Sequence, residues 1–313
     1  MRYYYAPMEG ITDATFRRLH HKYFPGVDKY FMPFISPTIH RTLTHREARE
    51  LPRADSVDFA AVPQLLGKNV EDMLWAIGVC ADLGYDEVNI NLGCPSGTVV
   101  SKGKGSGMLS DLDALDAFLE AIYAKAVLPV SLKTRIGVND SDNWENILEI
   151  YRRYPVKELT VHPRIRKAFY KGDCDLTAFA QAVDNSPFPV CYNGNVYSLA
   201  DAEAIAARFP TVESVMIGRG LVADPGMLTG STDRQTLKAF LSELSDTYCI
   251  VFESKRNAIY RMKDNWHYLI SLFEGSDKLW KEMRKSTDYD RFMAIANEII
   301  TTLPIRTHPE ISW

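Results

Sequence analysis

The sequence predicts an α/β fold, a (β/α)8 TIM barrel followed by a smaller all-helical domain. Short apolar segments rich in β-forming residues alternate with longer amphipathic segments from the N-terminus to about residue 230. Such alternation indicates a parallel sheet covered by helices, and eight strands are the number that closes a barrel. After Thr232 the alternation stops, and only helical patterns follow.

Each predicted strand is a short apolar run, and each predicted helix repeats apolar residues every three to four positions. The eight predicted strands are Tyr3–Ala6, Lys29–Phe34, Phe59–Leu65, Glu87–Asn91, Pro129–Lys133, Glu158–Val161, Pro189–Tyr192 and Ser214–Ile217. Helical patterns between them include Val70–Leu83, Ala114–Ala126, Trp144–Arg153 and Leu199–Arg208. The alternative, an open dinucleotide-binding sheet, would require GxGxxG after the first strand, where this sequence has Ala6-Pro7-Met8-Glu9-Gly10.

A barrel domain over residues 1–231 and a helical domain over residues 232–313 are therefore expected. Gly226–Asp233 is rich in Gly, Ser, Thr and Asp and is predicted to link them. The predicted helices of the second domain are Gln235–Leu244, Thr247–Tyr260, Asn265–Leu272, Ser276–Lys285 and Arg291–Thr301.

The composition is that of an ordinary globular protein, with 46% hydrophobic and 24% charged residues. The net charge of −4 provides no general attraction for nucleic acid, so a polyanionic partner would require a local basic surface. No apolar run approaches the roughly 20 residues that span a bilayer, and the N-terminus lacks the apolar stretch of a signal peptide. We therefore expect a cytoplasmic protein with no membrane partner.

The five cysteines are scattered and never form CxxC, which argues against a disulfide framework and a structural zinc site; no bound metal is expected. By composition each is a small buried hydrophobic residue. Cys94 differs because it follows the fourth predicted strand and precedes the glycine-rich run Gly103–Gly107, which we expect to be a mobile loop over the barrel mouth. Its thiol could be a nucleophile or a general acid.

Polar or reactive groups follow seven of the eight predicted strands, at the end where barrel active sites are built. Lys133 is either a solvated strand-end lysine or a cation that faces an electron-rich cofactor ring. Asn193-Gly194 and Gly218-Arg219-Gly220 follow the last two strands, the usual place for a phosphate site in a barrel. The basic, aromatic segment Arg164–Lys171 suits a phosphate backbone with a stacked base, or is a solvated loop.

Together these segments resemble the dihydrouridine synthase family over nearly the whole predicted barrel. The matching motifs are Ala6-Pro7-Met8-Glu9-Gly10-Ile11-Thr12-Asp13, Asn91-Leu92-Gly93-Cys94-Pro95, Lys133-Thr134-Arg135, Val161-His162-Pro163-Arg164 and Met216-Ile217-Gly218-Arg219-Gly220. The sequence departs from the family at Pro163, where glycine is usual, and at Asn195, where aspartate is common.

The resemblance implies an FMN-dependent enzyme, reduced by NADPH, that saturates the C5–C6 bond of uridines in tRNA. It implies that Cys94 protonates C5 while the flavin delivers hydride to C6. The expected flavin ligands are Pro7, Met8, Gln64, Lys133 and His162, with Asn193, Gly194, Gly218 and Arg219 at the phosphate. The expected substrate ligands are Asn91, Arg164, Arg166 and Tyr170.

In the helical domain, Arg261, Lys263, Arg284 and Lys285 are the candidates for tRNA phosphates, and solvated helix faces are the alternative. The protein is expected to be a monomer. Other hypotheses are a barrel flavoenzyme acting on a free pyrimidine, ribosomal RNA as the substrate, and a non-catalytic RNA-binding module. The last leaves Cys94, Lys133 and the phosphate loops without a role.

Overall fold

The computed structural model describes residues 1–311, and their parallel strands form one sheet. The strands are β1 (Arg2–Tyr5), β2 (Lys29–Phe31), β3 (Ala61–Val62), β4 (Gln64–Leu65), β5 (Val88–Leu92), β6 (Val130–Arg135), β7 (Leu159–His162), β8 (Val190–Asn193) and β9 (Ser214–Ile217). Their order is β3-β2-β1-β9-β8-β7-β6-β5-β4. Because β3 and β4 are consecutive pieces of one strand, the ends of this order meet, and the sheet forms a nearly closed barrel.

Pro63 interrupts the third strand between β3 and β4. Proline has no N–H to donate to a neighbouring strand, although its carbonyl still accepts from the Asn89 amide at 2.8 Å. With these two pieces counted as one, the eight predicted strands and the (β/α)8 architecture are confirmed.

Helices follow most of the strands, as expected for a parallel sheet. They are α1 (Ala14–Tyr23), α2 (His45–Glu50), α3 (Val70–Asp82), α4 (Gly97–Val100), α5 (Leu112–Tyr123), α6 (Trp144–Arg152), α7 (Leu176–Asn185), α8 (Leu199–Arg208) and α9 (Arg219–Ala223). Several begin at an Asp or Asn whose side chain accepts a first-turn amide: Asp13, Asn69, Asp111 and Asp175. These caps place the helix starts directly after the strand-end loops.

The alternation of side chains along each strand decides which residues enter the barrel. One part of the interior is apolar and consists of Tyr4, Ala6, Phe31, Val62, Cys191 and Met216. Another part is polar and equally buried, and contains Gln64, Asn89, Asn91 and Ser131. The polar part lies between β4, β5 and β6, next to the strand that leads into Cys94.

Buried charges lie at the amino ends of the strands. Glu87, which is only 2% exposed, pairs with Lys29 and Lys157 at 2.9 Å each. Burial alone would raise the pKa of Glu87, but the two lysines outweigh it and hold that pKa below its usual range. Glu158 instead accepts from Ser214 at 2.9 Å, and burial raises its pKa. Barrel active sites are built at the opposite, carboxyl ends of the strands.

The chain divides into two compact units. The first comprises residues 1–7, 28–195 and 203–216 and contains most of the barrel; the second comprises residues 8–27, 196–202 and 217 onward. In the second unit α1 packs on a later helix, α10 (Arg234–Val251), through edge contacts of Phe16 and Phe24 with the Phe240 ring. The units are interleaved along the chain, whereas the predicted division has one boundary after residue 231; that division stays a prediction.

The C-terminal helices of the second unit are α10, α11 (Lys255–Leu269), α12 (Asp277–Lys285) and α13 (Tyr289–Thr302). The helix breaks predicted near Asp246 and after Tyr260 are wrong, because α10 and α11 continue through these positions with buried residues on either side. Ser245 is fully buried and donates to the Tyr289 hydroxyl at 2.9 Å. The actual break is at Glu253, with a φ of 50°, before the Ser254 side chain caps α11.

Candidate active site

Cys94 lies in a turn directly after β5 and is half-buried. The Asn91 side-chain oxygen accepts from the backbone amides of Gly93 at 3.0 Å and Cys94 at 2.8 Å. From the other side, the Cys94 carbonyl accepts from the Ser106 hydroxyl at 2.8 Å and from its amide at 3.2 Å. The thiol is therefore carried by backbone that is hydrogen-bonded in two directions.

The glycine-rich run after Cys94 is packed against the turn. Gly105–Ser110 forms a short 3-10 helix in which residues 105–109 are buried. Gly105 has a φ of 57°, and a Cβ there would come within 3.0 Å of both the Cβ and the carbonyl oxygen of Cys94. A Cβ at Gly107 would come equally close to the Val100 carbonyl. In place of the expected mobile loop, these glycines allow close backbone approach.

Two cations from β6 face the same region. Lys133 is half-buried, and desolvation, followed by repulsion from Arg135, lowers the pKa of its ammonium to about 8. Burial likewise lowers the pKa of Arg135 to about 10. The Cys94 thiol lies within electrostatic range of both cations. The site thus holds positive charge that a bound anion or an electron-rich ring would stabilise.

Arg135 also fastens two loops together, a role that the strand-end pattern did not reveal. Its Nε donates to the Gly93 carbonyl at 3.0 Å, and Nη1 donates to the Ile165 carbonyl at 3.0 Å. Its guanidinium also lies 5.5 Å from the centre of the Tyr170 ring. The side chain is only 1% exposed, so its N–H groups donate to protein carbonyls rather than to water. Its positive charge remains close to the Cys94 turn.

His162 and Arg164 form a buried pair at the end of β7. Nη1 of Arg164 lies 3.0 Å from Nε2 of His162. A guanidinium can only donate, so Nε2 accepts and the imidazole carries its proton on Nδ1. Arg164 also donates to the Gly172 carbonyl. It is 3% exposed and holds the loop, so its predicted contact with substrate stays a prediction.

The loop beyond Arg164 presents the exposed side chains of the basic segment. Phe169 and Tyr170 are 44% and 47% exposed, and Tyr170 stacks near His162 with ring centres 6.1 Å apart. Phe169 has a φ of 51°, an uncommon conformation for an aromatic residue. Arg166 is half-buried, and Lys167 is exposed. The segment therefore offers rings and cations to solvent.

Gln64 and Asn91, expected to meet flavin and substrate, are hydrogen-bonded within the barrel. Asn91 donates to the Gln64 oxygen at 2.8 Å, and Gln64 donates to the Asn89 oxygen at 2.8 Å. Gln64 is fully buried and Asn91 is 8% exposed. Each amide retains a second hydrogen, so their binding roles stay predictions.

Asn193 lies at the end of β8 and is 8% exposed. Its side-chain amide donates to the Met216 carbonyl at 2.8 Å. At Gly194 a Cβ would overlap the Tyr192 hydroxyl and approach the Cys174 sulfur to 2.7 Å, so only glycine fits. Pro7, at the end of β1, is half-buried. The roles of Pro7 at the flavin and of Asn193 and Gly194 at its phosphate stay predictions.

Other predicted ligands lie in the second unit. The Met8 amide donates to Thr12 Oγ1 at 2.9 Å in a tight turn. Gly218 precedes α9, and the Arg219 guanidinium lies 5.5 Å from the Tyr197 ring centre. A Cβ at Gly220 would overlap the Val196 carbonyl. The binding roles of Met8, Gly218 and Arg219 stay predictions.

The four helical-domain cations fall into two kinds. Arg261 lies 3.5 Å from an Asp13 oxygen, and Lys263 donates to the Ser286 carbonyl at 2.5 Å. Arg284 and Lys285 are exposed, and Arg284 lies over the Trp280 ring at 5.4 Å. The second pair is thus the more accessible to an RNA backbone.

Within residues 1–311, no helix is long and apolar enough to cross a membrane. The same residues contain no group of three or more His, Cys, Asp or Glu side chains arranged to hold a metal ion.

Comparison with known proteins identifies similar sequences over most of the chain. Residues 4–301 match the family model described as dihydrouridine synthase (Dus). The sequence is 32% identical over 235 residues to a probable tRNA-dihydrouridine synthase of Rhizobium leguminosarum bv. phaseoli, covering 73% of this chain and 72% of that protein. It is 28% identical to tRNA-dihydrouridine synthase B of Pasteurella multocida, covering 72% and 67%.

Among solved structures, a variant of NCR from Zymomonas mobilis superposes with a TM-score of 0.51. The match covers 72% of this chain and 83% of that chain at 13% sequence identity, which supports a shared fold only.

Proposed function

Because the chain belongs to the dihydrouridine synthase family, we propose that it is a flavin-dependent oxidoreductase that reduces uridines in tRNA to 5,6-dihydrouridine, with NADPH as the reductant. The relatives named tRNA-dihydrouridine synthase support tRNA as the substrate. The observation that carries the proposal is the placement of the Cys94 thiol, half-buried in a braced turn and within electrostatic range of two cations.

The residues of the first unit suit a bound FMN. Among the described residues no carboxylate pairs with the desolvated Lys133 ammonium, and an electron-rich isoalloxazine would offset part of the lost solvation. His162 has its Nε2 engaged by Arg164 and therefore carries an Nδ1 proton of the kind that flavin carbonyl oxygens accept. Gly194 and Asn193 supply a close backbone and an amide for the phosphate.

When bound and reduced, FMN supplies the hydride that uracil C6 receives. The chain supplies the proton: the Cys94 S–H bond breaks as the new C5–H bond forms. This leaves a thiolate whose negative charge is stabilised by the nearby positive charges of Lys133 and Arg135. The Asn91 oxygen, which accepts from the Cys94 amide, and the Ser106 hydroxyl, which donates to the Cys94 carbonyl, keep the thiol in place for the transfer.

The substrate must present an unstacked uridine, because the base can reach a barrel mouth only outside its helix, at a cost of a few kcal/mol. Exposed rings and cations between Arg166 and Lys171 suit the nucleotides that flank it. The exposed Arg284 and Lys285 of the second unit suit other phosphates of the same RNA.

The direct test incubates the purified, FMN-loaded protein with NADPH and an unmodified tRNA transcript, and measures dihydrouridine by nucleoside mass spectrometry. We expect dihydrouridine with the parent protein and none with Cys94→Ala. A ribosomal RNA transcript and free uridine run in parallel. Product from either of these but not from tRNA would contradict the proposed substrate, and failure to bind a flavin would contradict the proposed chemistry.

A further inference from the structure

A continuous series of side-chain hydrogen bonds runs through the barrel, from its floor at the amino ends of the strands to the Cys94 turn. Its members are Glu87, Ser131, Asn89, Gln64 and Asn91, here called the interior network. The successive distances are 2.9 Å from Ser131 to Glu87, 3.0 Å from Asn89 to Ser131, 2.8 Å from Gln64 to Asn89 and 2.8 Å from Asn91 to Gln64. The series ends where the Asn91 oxygen accepts from the Cys94 amide.

The two ends of the interior network determine its direction. Backbone amides can only donate, so the Asn91 oxygen must face the Cys94 turn and its nitrogen must face Gln64. At the floor Glu87 is ionised, because two lysines hold its pKa low, and a carboxylate can only accept. Every group between therefore donates toward Glu87.

The interior network is also deeply buried. Gln64 and Asn89 are fully buried, and Ser131 is 1% exposed. Ser131 lies 3.3 Å from the Val88 carbonyl as well, but the charged Glu87 oxygen is nearer at 2.9 Å and is the stronger acceptor. A buried amide that loses its partner has no water to replace it.

Removal of one hydrogen-bonding group from the interior network therefore affects the Cys94 turn at its other end. Without the Ser131 hydroxyl, the Asn89 amide either keeps a buried hydrogen unpaired or reverses. A reversed Asn89 would set its nitrogen against the Gln64 nitrogen, so Gln64 and then Asn91 would have to reverse too. A reversed Asn91 would present N–H groups to the amides of Gly93 and Cys94, which would break the turn.

We propose that Ser131 and Asn89 are positioning residues that act on the Cys94 thiol through Gln64 and Asn91. The expected loss of RNA turnover rests on the proposed function, whereas the positioning of Cys94 does not. The geometry of the Cys94 turn can be measured on the protein alone.

The chain offers a matched control. Ser214 is 1% exposed, like Ser131, and donates to another buried glutamate, Glu158, at the same 2.9 Å. It is not a member of the interior network. Ser131→Ala and Ser214→Ala each remove a buried hydroxyl that donates to a buried glutamate, and only the first interrupts the route to Cys94.

The experiment measures three quantities for the FMN-loaded parent and both variants: alkylation of Cys94 by iodoacetamide, resolved by peptide mass spectrometry; reduction of bound flavin by NADPH; and dihydrouridine formation. We expect Ser131→Ala to change the alkylation rate and to lower turnover about tenfold, because small displacements of a reacting group are costly. The loss of turnover should exceed any loss of flavin reduction, because the Cys94 thiol takes part only in the proton transfer. Ser214→Ala should match the parent in all three quantities, even if its melting temperature falls.

A second variant, Asn89→Asp, tests the direction of the interior network. An ionised aspartate cannot donate to Ser131, whereas a protonated one presents one acceptor and one donor, as asparagine does. Burial raises the pKa of such a carboxyl, as does Glu87, while Lys29, Lys157 and Lys133 lower it. Relative to the parent, the turnover of Asn89→Asp should therefore rise as the pH falls.

The proposal is overturned if Cys94 alkylation in Ser131→Ala equals that of the parent, or if Ser214→Ala changes it equally. A flat ratio of Asn89→Asp to parent turnover across pH would also contradict the proposed direction. If the protein modified no RNA at all, the alkylation comparison would still decide the positioning role, so failure of the proposed function remains distinguishable.

Discussion

Substitution of Gly105 by alanine tests whether close packing of the glycine-rich run controls the Cys94 thiol. Gly105 has a φ of 57°, a conformation that costs an L-residue about 1 kcal/mol or more. Its added Cβ would also lie 3.0 Å from the Cβ and the oxygen of Cys94 and 3.0 Å from a Val99 methyl. Such overpacking costs about 1–3 kcal/mol unless the neighbours move.

Gly103→Ala is the matched control. Gly103 has a similar φ of 66°, so its substitution carries a similar backbone cost. Its nearest neighbour would be the flexible end of Lys68 at 3.7 Å, which is ordinary contact. The difference between the two variants therefore isolates the contact with Cys94.

Urea unfolding should show both variants destabilised, Gly105→Ala by about 2–4 kcal/mol as the sum of the two terms and Gly103→Ala by about 1 kcal/mol. Dihydrouridine formation should fall about tenfold only in Gly105→Ala, and its Cys94 alkylation rate should change. Equal loss of turnover in the two variants, or parent-like turnover in Gly105→Ala, would refute the reasoning.

Three further outcomes are expected. Cys94→Ala should keep FMN bound and reducible by NADPH but form no dihydrouridine; turnover at the parent's rate would exclude the proton-donor role. Lys133→Met should bind FMN more weakly in a titration. Because the lysine charge is present below a pKa of about 8 and lost above it, parent affinity should fall as the pH rises through 8, and the variant should show no such step. Replacing both Arg284 and Lys285 by alanine should weaken tRNA binding and reduce its salt dependence; an unchanged salt slope would mean that they touch no phosphates.

The local pattern of apolar and polar residues was sufficient to predict the barrel architecture. Strands such as β5 and β6 are apolar runs between turn residues, and their period of two places Asn89 with Asn91, and Lys133 with Arg135, on one face. The helical tail was less predictable at its boundaries. Its true break at Glu253 depends on a backbone conformation and a serine cap, while Ser245, which resembles a helix end in sequence, is buried against another helix.

The sequence alone thus determined the barrel, the strand-end location of Cys94 and Lys133, and the family to which the motifs belong, because these depend on periodicity and short spacings. Only the tertiary structure decided how the thiol is held. Arg135 reaches the Gly93 carbonyl across 42 positions, and Ser131 reaches Glu87 across 44. Hydrogen bonds over such separations arise from strand register, and register depends on the whole closed sheet rather than on any segment of it.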